Sequence, residues 1–177
     1  MSYLIVGGRL LVAGIFLLSL FGKVRSAAQF RRFVAATAGL LAVRPRWARP
    51  LALATVGAEA TIVALALAPV GPVAGFVLAG ALLTCFTVAL VRARRRADQV
   101  ACHCFGQSQV PVGHRHVVRN VVLIFVVLLL AAAAVATTAG PVDPAGVAVA
   151  ALVAVPTALA IAHLDDVVDV LRPSSRK

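Results

Sequence analysis

The sequence predicts an all-α protein that crosses a membrane several times. Of its 177 residues, 62% are hydrophobic and 13% are charged, whereas soluble domains contain roughly 45–50% apolar and about 25% charged residues. Several segments of about 20 residues are apolar on every helix face. A helix of that length crosses about 30 Å of hydrocarbon. These features exclude a disordered chain, a soluble dinucleotide-binding enzyme, a small secreted disulfide protein and a transmembrane barrel.

Five apolar segments are long enough to span the bilayer, at 3–22, 51–68, 73–91, 117–138 and 145–163. The first is the weakest, because Arg9 interrupts it and leaves about a dozen apolar residues, a length that also suits a signal peptide. We predict a span there because no basic segment precedes it, no clean cleavage site follows it, and Arg9 can reach the interface. The prediction is therefore a polytopic helical bundle in one domain, residues 1–163, followed by a short charged tail at 164–177.

The charges predict how these helices are oriented. The 17 Lys and Arg residues outnumber the 6 Asp and Glu residues, for a net charge of +11, and they cluster at 23–50, at 92–96 and in the tail. Under the positive-inside rule, both basic loops and the C-terminus lie in the cytoplasm and the N-terminus lies outside. We expect a multi-pass protein of the bacterial plasma membrane whose basic residues contact anionic lipid and not nucleic acid.

The first basic loop carries a helical pattern of its own. Phe30, Phe33 and Val34 alternate with Arg31 and Arg32. This spacing predicts an amphipathic helix at the level of the lipid headgroups, directly after the first span.

Two of the three cysteines lie one residue apart between the third and fourth spans, in the run Cys102-His103-Cys104. A Cys-x-Cys pair can close a small, strained disulfide ring, and strained disulfides are readily reduced. His103 and the arginine cluster at 92–96 favour the thiolate, the species that attacks a disulfide. The pattern predicts thiol–disulfide exchange, with an oxidoreductase as the enzymatic interpretation, whereas Cys85 inside the third span is expected to be a packing residue.

Two other interpretations of this segment stay open. Cys102, Cys104, His114 and His116 supply two thiolates and two imidazoles, a set that suits zinc or copper, although zinc-finger pairs are spaced more widely. Alternatively, the cysteines are ordinary packing residues and the histidines lie at an interface. No cofactor is firmly implied, and quinone, zinc and copper are the ones that stay open.

Glu59 lies near the middle of the second span, where the insertion of an acidic residue into the membrane costs at least ~2.5 kcal/mol. It must face protein or water, either as a proton acceptor or as the partner of a cation. Arg119 and Lys23 are the candidate partners, and we expect Glu59 and Arg119 to form the intramembrane polar pair. A purely structural ion pair, or a protonated Glu59 hydrogen-bonded between helices, is the alternative.

Four features together resemble the MauE family of methylamine-utilisation membrane proteins over about residues 5–138. They are the Cys-x-Cys-Phe-Gly motif between two spans, the run Arg119-Asn120 that opens the next helix, Lys23 and Glu59. The family is grouped with DoxX-like redox-associated proteins. The resemblance implies a small polytopic protein that acts with a thioredoxin-like partner, MauD, in maturation of the disulfide-rich small subunit of methylamine dehydrogenase. Relatives also occur outside methylamine metabolism, so it implies an exported client without identifying it.

The predicted topology and the implied clients lie on opposite sides of the membrane. Charge bias places Cys102 and Cys104 on the cytoplasmic side, a reducing compartment where persistent disulfides are rare, while the clients fold outside. We expect either that the pair carries electrons outward from a cytoplasmic donor or that the segment dips into the bundle. In both cases the cysteines cycle between dithiol and disulfide.

Overall fold

A computed structural model describes residues 2–68, 71–96, 114–137 and 143–162, with the backbone alone described at 114, 115 and 162. The described residues form a bundle of six helices: α1 Ser2–Val24, α2 Ala27–Leu41, α3 Pro45–Leu67, α4 Pro72–Arg95, α5 His114–Ala136 and α6 Pro144–Ala162. All except α2 are long and apolar enough to cross a membrane. The predicted all-α bundle of five spans is therefore confirmed, while the tail at 164–177 lies outside the described residues.

The helices bury one apolar core and turn other apolar side chains outward. In the bundle, α1 packs along α6 and α3, and α4 packs along α5 and α3. The core contains side chains from the five long helices, including Phe16, Ile62, Phe76, Leu123, Val127 and Ala158. Large apolar side chains on the outer surface stay exposed, with Phe125 at 63% and Leu152 at 73%. An apolar outer surface is stable in contact with lipid tails, which agrees with the bilayer environment implied by the five spans.

The amphipathic helix α2 closes one end of the bundle. Its buried residues, Phe33, Thr37 and Leu40, recur at the spacing of one helix face, and α2 packs against α1, α3 and α4. The side chains of Arg31 and Arg32 stay exposed. We call this end, where α1 and α4 finish and α3 and α5 start, the α2 end.

The helix α3 begins earlier than the span predicted at 51–68. It starts at Pro45 and runs through Pro50. A proline in the first turn loses no helical hydrogen bond, because that N–H has no partner there in any case. Pro50 does remove one bond, but Ala48, 2% exposed, packs this first stretch of α3 into the bundle.

Arg9 binds protein at the opposite end of the bundle, where we had expected it to reach the lipid interface. Its Nε donates to the carbonyl oxygen of Ala66 at 2.8 Å, and its Nη2 donates to that of Ala68. The last carbonyls of a helix have no partners within it and carry the negative end of the helix dipole. Arg9 therefore caps α3, and this contact compensates for a cation within an apolar span.

Candidate functional site

The structure describes only some of the predicted site residues. Cys102, His103 and Cys104 lie outside the described residues, and only the backbone of His114 is described. The remaining three, Glu59, His116 and Arg119, are all buried at 9% exposure or less. The buried polar and charged side chains among the described residues are Ser19, Lys23, Thr37, Glu59, His116, Arg119 and Asn120. Six of them lie on α2 or in the helix halves nearest the α2 end, and Glu59 lies just beyond the middle of α3, in contact with Lys23 and Ser19.

Lys23 and Glu59 form an ion pair between α1 and α3. Lys23 Nζ lies 2.6 Å from Glu59 Oε1, and both residues are 1% exposed. Ser19 joins the pair: its hydroxyl accepts from Lys23 Nζ at 2.6 Å and donates to the same carboxylate oxygen at 3.1 Å. A cation, a hydroxyl and a carboxylate thus share one dry site, a geometry in which a proton can move between neighbouring atoms.

The helix geometry explains why the Lys23 ammonium points inward although the residue lies in the last turn of α1. Side chains in an α-helix lean toward its N-terminus, so Lys23 reaches back over Ser19, one turn earlier. Lysines near the ends of transmembrane helices usually extend toward water. Here the ring of Phe33 from α2 lies over Nζ, 5.1 Å from the ring centroid. The amphipathic helix therefore covers the ion pair.

The structure corrects the expected pairing of Glu59 with Arg119. Oε1 of Glu59 binds Lys23 and Ser19, and Oε2 has no hydrogen-bond partner among the described residues. The physical reason is the packing, because α1 lies directly along α3, whereas α5 lies along α4. Sequence analysis named Lys23 as the second candidate but missed Ser19 and Phe33. The four-residue spacing of Ser19 and Lys23 was the available signal for the hydroxyl.

A second polar set lies on the first turns of α5. Arg119 and Asn120 lie three and four residues after His116, so both share a helix face with it. All three are buried. The amide oxygen Oδ1 of Asn120 has no hydrogen-bond partner within the described part of the chain. A permanent cation and a buried amide acceptor on the same face provide a polar surface inside the bundle.

The two polar sets lie at about the same depth. A Cβ added to Gly8 of α1 would contact the side chain of Leu130 of α5, so these residues are neighbours. Ser19 lies as many residues beyond Gly8 as Arg119 lies before Leu130. Since α1 ends and α5 begins at the α2 end, and both rise about 1.5 Å per residue, Ser19 and Arg119 lie at similar heights.

The cysteine-containing segment is attached at this same end. The described chain leaves α4 at Arg96 and resumes at His114, and Val117 of α5 packs against the apolar cluster that contains Leu90 and Ala93 of α4. Both attachment points of segment 97–113 therefore lie beside the α5 polar set. Within the described residues, no group of three His, Cys, Asp or Glu side chains could hold a metal. The metal-binding interpretation, which needs Cys102 and Cys104, is not tested by that finding.

The third cysteine lies apart from these polar residues. Cys85 is exposed on α4, where it lines a surface cleft with Leu41 and Arg92. The expectation that it is an ordinary packing residue therefore needs revision, since it contributes to an open surface and not to the buried core.

Comparison with family models places these features in a known group. The model of the family "Methylamine utilisation protein MauE" matches residues 1–135, which include α1 to α4, the Cys-x-Cys segment and nearly all of α5. Neither the curated proteins nor the solved structures give a match. A match over about three quarters of the chain, together with five candidate spans, establishes the relationship: this multi-pass membrane protein belongs to the MauE family.

Proposed function

We propose that this MauE-family protein performs thiol–disulfide exchange through Cys102 and Cys104 and thereby assists the maturation of an exported partner. The observation that carries the proposal is the attachment of the Cys-x-Cys segment to the bundle end that holds the buried polar residues. Structural roles alone account poorly for so many polar groups in one half of the bundle, because each is costly in a membrane. A redox site needs such polar groups, because they stabilise thiolates and accept or donate protons.

The exchange proceeds in two balanced steps. The thiolate of one cysteine attacks a sulfur of the partner's disulfide, forms a mixed disulfide and releases the partner's other sulfur as a thiolate, which takes a proton. The thiolate of the second cysteine then attacks the mixed disulfide, closes the disulfide of Cys102 and Cys104, and releases the partner as a dithiol. Two electrons have passed to the partner. A thioredoxin-like dithiol restores the pair by the reverse exchange and is itself oxidised.

The polar residues have separate roles in this scheme. His103, the arginine cluster at 92–96 and Arg119 favour the attacking thiolate, since a nearby cation stabilises a negatively charged sulfur. Glu59, held by Lys23 and Ser19, accepts and returns the protons that accompany the two thiols.

The proposal includes an orientation in the bacterial plasma membrane. Basic residues lie at the ends of α1 and α4, on α2 and at the start of α3. By the positive-inside rule they support an orientation with the α2 end in the cytoplasm and the N-terminus outside. The cysteines then take electrons from a cytoplasmic donor, while the client folds outside. Because exchange requires direct contact between sulfur atoms, the proposal requires that the same cysteine pair be reached in turn by the donor from the cytoplasm and by the client from outside.

The test is alkylation trapping of the cysteines in intact cells. Acid quenching followed by a mass-tagged maleimide separates the dithiol from the disulfide. We expect a mixture of both forms in the wild type and a shift toward the disulfide when the thioredoxin-like reductants are depleted. Cys102→Ser is expected to accumulate a mixed disulfide through Cys104, or to abolish exchange.

Cys85→Ser is the matched control, because it removes the third cysteine and leaves the pair intact. It should reproduce the wild-type pattern. The proposal is wrong if Cys102 and Cys104 keep one oxidation state under reductant depletion and under oxidant, and if the double serine variant supports maturation of exported disulfide proteins normally.

A further inference from the structure

A cleft opens on the outer surface between the C-terminal parts of α2 and α4. Its volume is about 330 Å³, and it is lined by side chains of both helices: Leu40, Leu41, Thr84, Cys85, Val88, Ala89, Arg92 and Arg96. The cleft lies on the outside of the bundle at the α2 end, away from the ion pair of Lys23 and Glu59. It shares only Arg92 and Arg96 with the residues that the proposed function uses.

The lining changes in character along α4. Thr84, Cys85 and Val88 line the part nearer the middle of α4, and Arg92 and Arg96 line the part at its end. From Cys85 to Arg92 the helix rises about 10 Å. An occupant that fits this cleft is therefore apolar at one end and anionic at the other, with the charge at the end of the span.

The wall formed by α2 is held in place by one of the arginines. Arg96 Nη2 donates to the carbonyl oxygen of Leu40 at 2.8 Å and lies 3.4 Å from that of Gly39. These carbonyls belong to the last turn of α2, where the usual partner four residues further along the helix is missing. The Gly39 oxygen also accepts from the backbone N–H of Ala42. The contact fixes α2 beside α4, so the cleft is a built feature with one arginine in its wall.

Arg92 supplies the charge that faces outward. Its side chain is exposed, it forms no salt bridge with another described residue, and no acidic residue is among those that line the cleft. Arg92 and Arg96 are four residues apart and share one helix face. Their two guanidinium groups form a local positive field above an apolar groove, at the depth where basic residues meet lipid headgroups.

We propose that this cleft binds one anionic phospholipid of the surrounding bilayer. The phosphate lies against Arg92 with Arg96 beside it, and one acyl chain lies against Leu41, Val88 and Thr84. The charge complementarity selects this occupant, because a zwitterionic lipid carries a cation that opposes the arginines. A neutral isoprenoid makes no use of them, and a soluble anion makes no use of the apolar groove.

The experiment is native mass spectrometry of the full chain, released from detergent and titrated with defined lipid. The probes are phosphatidylglycerol and phosphatidylcholine with the same acyl chains. We expect the first phosphatidylglycerol to bind more tightly than phosphatidylcholine. Arg92→Gln should weaken that first site about fivefold, as expected for about 1 kcal/mol per arginine near the headgroups.

Arg94→Gln is the matched control, because it removes the same charge from the same turn of α4 without touching the cleft. It should leave the first binding event unchanged. Equal loss in both arginine variants would show attraction to the whole basic end and would overturn the proposal, as would equal binding of the two lipids.

A second pair of variants locates the acyl chain. Thr84→Phe fills the groove while keeping both arginines, and it should displace the lipid, whereas Ala81→Phe adds the same bulk to an exposed position outside the cleft. Far-UV circular dichroism confirms that both variants are folded. Retention of full phosphatidylglycerol affinity in folded Thr84→Phe would also overturn the proposal.

Discussion

Replacing Lys23 by methionine tests the energetics of the buried ion pair. Lys23→Met keeps the length of the side chain and removes the ammonium, which lies 2.6 Å from Glu59 Oε1. At that distance two unit charges attract by about 6 kcal/mol at an effective dielectric constant of 20, and the cost of desolvation opposes this attraction. Removing one partner of a buried pair typically costs about 3–5 kcal/mol. We expect a loss in that range for Lys23→Met.

The double variant Lys23→Met/Glu59→Leu should recover most of this stability. An apolar pair of similar volume leaves no uncompensated charge, and such replacements are often neutral or stabilising. We expect its free energy of unfolding to lie within about 1 kcal/mol of the wild type. The strong departure from additivity is the signature of two groups in direct contact.

The assay is equilibrium unfolding in mixed micelles, with SDS added to a mild detergent and helicity followed by far-UV circular dichroism. Arg25→Met is the control, since it removes an exposed cation two residues further along the chain and should change stability by less than about 0.5 kcal/mol. A loss below about 1 kcal/mol for Lys23→Met would refute the reasoning, because it would mean that Glu59 is hydrated or takes up a proton and so leaves no buried unpaired charge. A double variant as unstable as the single one would refute it equally.

Three further predictions concern residues around the site. Arg9→Ala removes two hydrogen bonds from the carbonyls at the end of α3 and should lower stability by about 1–3 kcal/mol in the same unfolding assay. Arg49→Ala, at an exposed position, should change stability little. Equal effects of the two variants would contradict the role of Arg9 as a helix cap. Phe33→Leu removes the ring over the buried ammonium and should lower the free energy of unfolding by about 1–2 kcal/mol. Phe30→Leu, at a half-buried position of the same helix, is the comparison. Equal losses in the two variants would contradict a specific contact between Phe33 and Lys23. Elemental analysis of detergent-purified protein should find much less than one zinc or copper ion per chain. One ion per chain that is lost in His116→Ala would instead favour a metal-binding accessory subunit over thiol exchange.

The spans and the amphipathic helix were predictable because each has a local signal. An uncharged apolar run of bilayer length predicts a transmembrane helix without knowledge of its neighbours, and the spacing of Phe33 and Leu40 predicts a helix with one buried face. Helix ends depend on more than hydropathy. The apolar run begins only at Leu51, but α3 begins at Pro45, where the packing of Ala48 supports its first turns.

The partners of buried charges were not predictable in the same way. Lys23 lies just after the first predicted span and Arg119 lies at the start of the fourth, on the same side of the predicted topology. Hydropathy and charge therefore give no basis for choosing between them as the partner of Glu59. The choice depends on which helices are neighbours, and α1 lies along α3. The same holds for Arg9, whose acceptors on α3 are distant in sequence and close in space.

A structural and a chemical role for the ion pair of Lys23 and Glu59 predict different results for the double variant. If the pair served only to hold α1 against α3, an apolar pair of similar volume would serve as well, since burying both charges gains little net stability. The proposed exchange needs more, because protons must be accepted and returned inside the bundle. The Lys23→Met/Glu59→Leu variant therefore decides between the roles: a stable protein in which Cys102 no longer cycles assigns the pair to proton handling, whereas a stable protein with unchanged cycling leaves it a purely structural contact.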